Sequence, residues 1–143
     1  MPQQTQISVS WPSWVEQHRI DDALTAAAYE NAGPAARAAL KTAMAMYFRY
    51  DDSTREIIHE YRSDHMSGFW RSRTVFPAPW AIVAVTPRYV AAARVLAALM
   101  PAIISGVSAI ACVCVDGEPT ASCLATLDLA GIDDVFSLSA AEL

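Results

Sequence analysis

The stretch EIIHEYRSDH gathers Glu56, His59, Glu60, Asp64 and His65 within ten positions. On a helix, Glu-x-x-His sets a carboxylate and an imidazole one turn apart on one face, which is half the ligand set of a carboxylate-bridged di-iron centre. A full set needs a second such motif and two more glutamates from facing helices, and no second Glu-x-x-His is present. A solvated polar helix face is the plainer reading. Cys112 and Cys114 alternate within an apolar run, so on a strand they share one face as small hydrophobes. No second Cys/His pair stands at zinc spacing, and no metal site is expected. No GxSxG or comparable nucleophile motif appears, so no catalytic residue is assigned. Two positions remain. Asp116 follows an apolar strand-like run, where dinucleotide-binding folds place an acid on a ribose hydroxyl, although DGEP also reads as an ordinary turn. Arg88 follows the preceding apolar run, where α/β sheets bind ligands, and suits a phosphate or carboxylate; the plainer alternative is a solvated arginine.

The elements that must position these residues follow from the apolar pattern. Ser10 and Pro12 suit a helix start, and apolar residues recur through Trp14, Val15, Ile20, Leu24 and Ala28. Asn31-Ala-Gly33 breaks this helix and Pro34 opens the next, with Leu40, Ala43, Met44 and Tyr47 in one stripe. DDST at 51–54 resets the chain, with Ser53 or Thr54 capping a short helix to about His65. RSRTVF then alternates as a strand. WAIVAVT, 80–86, is a continuous apolar run that predicts a central strand buried on both faces. A helix kinked or divided at Pro101, the strand SAIACVCV, the turn DGEP, a helix closed by Gly131 and the strand DDVFSL complete the chain. The expected fold is α/β: a three-layer, Rossmann-like parallel sheet with a βαβαβ core over 80–138, preceded by N-terminal helices. One domain spans 1–143, helical over 1–66 and α/β over 67–143.

Composition excludes several functions. The net charge of −5 and the scattered Lys and Arg residues argue against nucleic acid, which needs clustered positive charge. Residues 95–115 hold no charge over a length that could span a bilayer, but Pro101, Ser105-Gly106 and the strand chemistry that follows mark them as core. MPQQTQISVSWPSW has neither the basic nor the apolar segment of a signal peptide. With an odd number of cysteines, two of them in the core, the expectation is a cytoplasmic protein with reduced thiols.

PAPWAIVAVTP, MPAIISGVSAIACV and LATLDLAGIDDVFSLSAAEL together resemble the N-terminal, nucleotide-binding half of histidinol dehydrogenase and, more distantly, the aldehyde dehydrogenase superfamily. AARAALKTAMAMYFRY is similar to the helix preceding the core of that family, so the resemblance covers about residues 30–143 and is best after Pro77. It implies NAD as the cofactor and matches the family's dinucleotide contacts to the stretches holding Thr86, Pro87, Arg88, Tyr89 and Glu142; with Asp116 from its place after the second core strand, these are the expected cofactor-binding positions. The departures are specific. Where the family loop reads Tyr-Ile-Pro-Gly-Gly, this chain has Val85-Thr86-Pro87-Arg88-Tyr89, losing the tyrosine that touches the dinucleotide and both glycines that allow close approach. Where the family has Gly-Gly-Ala-Gln, it has Ser139-Ala140-Ala141-Glu142, an acid in place of the amide. The family's zinc ligands and Glu-His acid/base pair belong to a later half that these residues do not contain.

Two functions follow as expectations, beside a third reading as a diverged fragment with no ligand. One is an oxidoreductase-related, partial dinucleotide-binding half, inactive alone. The other is a non-catalytic assembly or small-ligand module on the same half-fold, taking a small anion or nucleotide. A homodimer is expected, because three core strands leave sheet edges to cover and ISVSWPSW offers two tryptophans for docking on a neighbouring subunit; the alternative is that the N-terminal helices fold back within the same chain and complete a monomeric core.

Overall fold

The computed structural model describes residues 9–50, 59–75, 78–88 and 91–142. Its centre is a parallel sheet in which β3 (Trp80–Val85), β4 (Ala109–Val115) and β5 (Asp134–Leu138) lie in the order β3-β4-β5. Val83, Cys112 and Val135 are register partners across the sheet, as are Ala84, Val113 and Phe136 one residue on. The crossover helices are α4 (Ala92–Ile104) and α5 (Ala121–Ala130). Both pack on one face, where Val95, Leu99, Cys123 and Leu127 meet Val85, Cys112, Cys114 and Val135. A sequential strand order with crossovers of one hand requires this placement.

The βαβαβ core is as expected, but its cover is not. α2 (Asp22–Asn31) lies against α5, and α3 (Pro34–Tyr50) against α4, so the outer helices stack on the same side of the sheet. This explains why α5 is apolar nearly all round: it has the sheet on one side and α2 on the other. Thr126 and Thr25 are both buried and direct their hydroxyls to the carbonyls of Ser122 and Asp22, at 2.7 and 2.8 Å. Thr120 caps the start of α5, and Gly131 ends it at φ 70°.

Among the described residues, the opposite face carries no comparable helical layer. Ala111, Val113, Phe136 and Leu138 are covered by Trp11 and by Val15 of the short helix α1 (Ser13–Glu16). The single helix expected from Pro12 to Ala28 is therefore divided. Residues 18–20 leave helical geometry to run along β5: Ile20 N donates to Val135 O at 2.8 Å, and Ser137 N donates to His18 O at 3.0 Å. Arg19 bridges to Phe136 between them. Backbone pairing to a strand more than a hundred residues away overrides the local helical pattern. The strand expected at the centre, β3, is instead at an edge. β4 is central, and Trp80 and Ile82 remain about half exposed.

Two further expectations change. α4 runs unbroken through Pro101, which sits in its last turns, where few helical bonds remain to be lost. The helix expected to reach His65 is, over its described part, the strand β1 (His59–Asp64), paired antiparallel with β2 (Trp70–Val75) around Ser67-Gly68. Gly68 takes φ 85°, the left-handed geometry that a tight hairpin requires. The described side chains of this hairpin are exposed. The cap expected at Ser53 or Thr54, and Glu56, lie outside the described residues.

Candidate functional site

The expected ligand site lies at the carboxyl end of the sheet, where three connections converge. Thr86, Pro87 and Arg88 follow β3, and the Asp116-Gly117 turn follows β4. The third segment, Ser139 to Glu142, follows β5. Tyr89 lies outside the described residues. The three are stitched to one another. A Cβ placed on Gly117 would stand 2.7 Å from Cγ of Pro87, so the proline ring occupies the space above the glycine. Asp116 adopts φ 58°, unusual for a residue with a side chain, and its amide donates to Leu138 O at 2.9 Å. Its carboxylate accepts from the amide of Ala140 at 2.7 Å. The Ser137 hydroxyl donates to Gly117 O at 3.0 Å.

Asp116 is thus placed where the sequence put it, but one of its carboxylate oxygens already holds the chain leaving β5. Glu142 is likewise engaged. It accepts from the amide and hydroxyl of Ser139 at 2.8 and 2.7 Å, and stands 3.5 Å from Nε2 of His18. The two Ser139 bonds hold its carboxyl below the usual glutamate range. Arg88 is exposed and has no hydrogen-bond or ion-pair partner among the described residues. Of the expected cofactor-binding positions, Pro87 and Asp116 come together around Gly117, Glu142 closes its own turn, and Arg88 stands without a partner among the described residues. No protein-family model matches the chain, and no curated protein is similar to it.

Chemistry elsewhere is sparse. Cys112, Cys114 and Cys123 are free and buried where β4 faces α5. Cys112 hydrogen-bonds with Cys123 and sits in apolar surroundings, and both effects hold its thiol protonated far above the usual range. Burial, with Cys123 and Glu118 nearby, pushes Cys114 up to about 11. Cys112 and Cys114, buried and kept neutral, are core atoms as the sequence implied, while the hydrogen bond with Cys112 lowers the Cys123 thiol from its ordinary value. Among the described residues no three metal-ligating side chains converge.

A concavity that sequence reasoning missed opens at the other end of the sheet. A cavity of about 730 Å³ lies between the starts of β4 and β5, lined by Val107, Ser108, Ile110, Gly131, Asp133 and Asp134. Its acidic end is not free: Arg19 pairs with Asp134 at 2.8 Å and donates to Asp133 O at 3.1 Å. The consecutive acids in GIDDVF were its only signal in the sequence, and they read there as a strand start.

Proposed function

We propose that the chain is a non-catalytic assembly and small-anion-binding module, built on a half-fold of the kind found in the N-terminal half of histidinol dehydrogenase. The observation that carries this reading is the closed carboxyl edge of the sheet. In an open α/β sheet the ligand crevice lies outside the strand ends. Here Pro87 fills the space over Gly117, and Asp116 ties down the exit from β5. A dinucleotide stretched across that edge would have to displace both. Arg88 is exposed beside them and suits a single phosphate or carboxylate, which a guanidinium binds through paired hydrogen bonds. We further infer a homodimer and, from three free thiols held in the core, a reducing cytoplasmic setting.

The oxidoreductase-related reading, with NAD bound at Thr86, Pro87, Arg88 and Asp116, keeps one observation in its favour: Arg88 at the end of β3, without a partner among the described residues. Calorimetric titration separates the two. The module reading expects weak binding of inorganic phosphate or AMP that Arg88→Gln abolishes. It also expects no NAD-dependent oxidation of histidinol or simple aldehydes, with or without zinc. Turnover that survives purification and disappears on mutation of Asp116 or Arg88 would overturn it.

A further inference from the structure

We propose that two copies of this chain join through the outer edge of β3, antiparallel, with Ile82 on the two-fold axis, to form one continuous six-stranded sheet. This rests on the assembly reading above and specifies its interface. The first observation is an asymmetry between the two edges of the sheet. β5 is closed by the backbone of residues 18–20, with Ile20 N on Val135 O and Ser137 N on His18 O. No described strand pairs with β3 on its outer side, because β1 and β2 form a separate two-stranded sheet.

The second observation is what β3 lacks. An exposed edge is normally protected by a charge, a proline or a bulge. WAIVAV contains no charged residue and no proline, and its register with β4 is unbroken over all six residues. Trp80 is 51% exposed and Ile82 49%, on the same face as Ala84. The strand is therefore an unguarded pairing edge beside an apolar stripe.

The choice of a second copy over another partner follows from closure and fit. A two-fold axis through an antiparallel pair sets one residue opposite itself. With Ile82 on the axis, Trp80 lies opposite the partner's Ala84, a large side chain against a small one, and each Ile82 meets its counterpart. Moving the axis to Val83 would set Trp80 against Thr86, which breaks the apolar match. Because β5 is already covered, β3 cannot add to the β5 edge of the next copy, so growth stops at two. No charge on β3 opposes its twin across the axis.

Light scattering on the full chain at tens of micromolar tests this. The expected result is twice the chain mass, reduced to the chain mass by Ile82→Glu with an unchanged far-UV circular dichroism spectrum. Should Ile82→Glu fail to fold, Ala84→Lys at an exposed position gives the same readout. Independently, Ile82→Cys should be cross-linked to a dimer by a short bismaleimide, the three native thiols being buried, while Met46→Cys on exposed α3 should not. A dimer indifferent to Ile82→Glu and Ala84→Lys, or equal cross-linking at both cysteines, overturns the β3 interface and leaves the assembly reading standing. A wild-type chain that is monomeric throughout overturns both.

Discussion

Replacing Trp11 by alanine removes the main apolar cover from the sheet face that Phe136 occupies. Phe136 is fully buried, with the Trp11 ring edge-on at 6.1 Å and 70° and the Arg19 guanidinium 4.9 Å from its centroid. Trp11 itself is half-buried. A tryptophan buried to that extent removes about 100 Å² of apolar surface from water, worth about 2.5 kcal/mol at ~25 cal/mol/Å². The edge contact between the two rings adds about 1 kcal/mol. Unfolded chains retain some burial, so about 3 kcal/mol is the expected loss. For a chain of this size that corresponds to a fall in Tm of about 10 °C. Urea and thermal denaturation of Trp11→Ala, Phe136→Leu and the double variant measure both quantities. The cycle should return a coupling of about 0.5–1.5 kcal/mol. A Tm shift under about 3 °C, or additive single effects, would show that the N-terminal strap, residues 11–20, is not seated on Phe136 through Trp11. The mass of Trp11→Ala in solution should equal that of the wild type, since this residue covers its own sheet rather than a neighbour's.

Other outcomes follow from the loops and the core. Gly117 and Gly131 both hold a positive φ, 151° and 70°, so alanine at either should cost about 1 kcal/mol in backbone strain. Gly117→Ala should cost about 1–3 kcal/mol more by forcing a methyl into the Pro87 ring, where Gly131 has no neighbour within 4 Å; equal losses in urea titrations would contradict the Pro87 contact. Ellman's reagent at pH 8 should leave Cys112, Cys114 and Cys123 unmodified in the native protein and titrate all of them in guanidinium; rapid reaction of one thiol before unfolding would refute their burial. Glu142 should titrate below the usual glutamate range. Because its folded pKa is depressed, its contribution to stability is present at neutral pH and lost as pH falls through that folded value. Ser139→Ala should move the midpoint upward by NMR, and an unmoved midpoint would break the assignment.

The parallel core was legible because its elements carry strong local signals. WAIVAV and AIACVCV are apolar runs of strand length, and Gly131 closes α5 with cap chemistry. Burial on both faces of β3 was not legible, because an apolar run does not record which of its faces is covered. β1 was misread because HEYRSD has no apolar alternation, and its charges at helical spacing imitate a polar helix face. Its strand state comes from pairing with β2. The division between α1 and α2 has no proline or glycine to announce it, since the break exists to satisfy backbone groups on β5. At the candidate site, Arg88 and Asp116 lie at the strand ends that the pattern indicated. That Asp116 holds Ala140 depends on a contact across 24 positions, beyond any local motif.

The strap has a consequence for the order in which the molecule is completed during synthesis. Arg19 and its contact at Asp133 are 114 positions apart. At ~5–20 residues per second the ribosome takes roughly 6–23 s to deliver the second after the first. For that interval Trp11, Val15 and Ile20 have no β5 to settle on, although α2 and α3 are already made. The apolar residues that seal the finished sheet thus emerge well before the strand that shelters them. A nascent chain held on the ribosome before residue 134 should therefore offer this segment to a chaperone, and release past residue 138 should withdraw it.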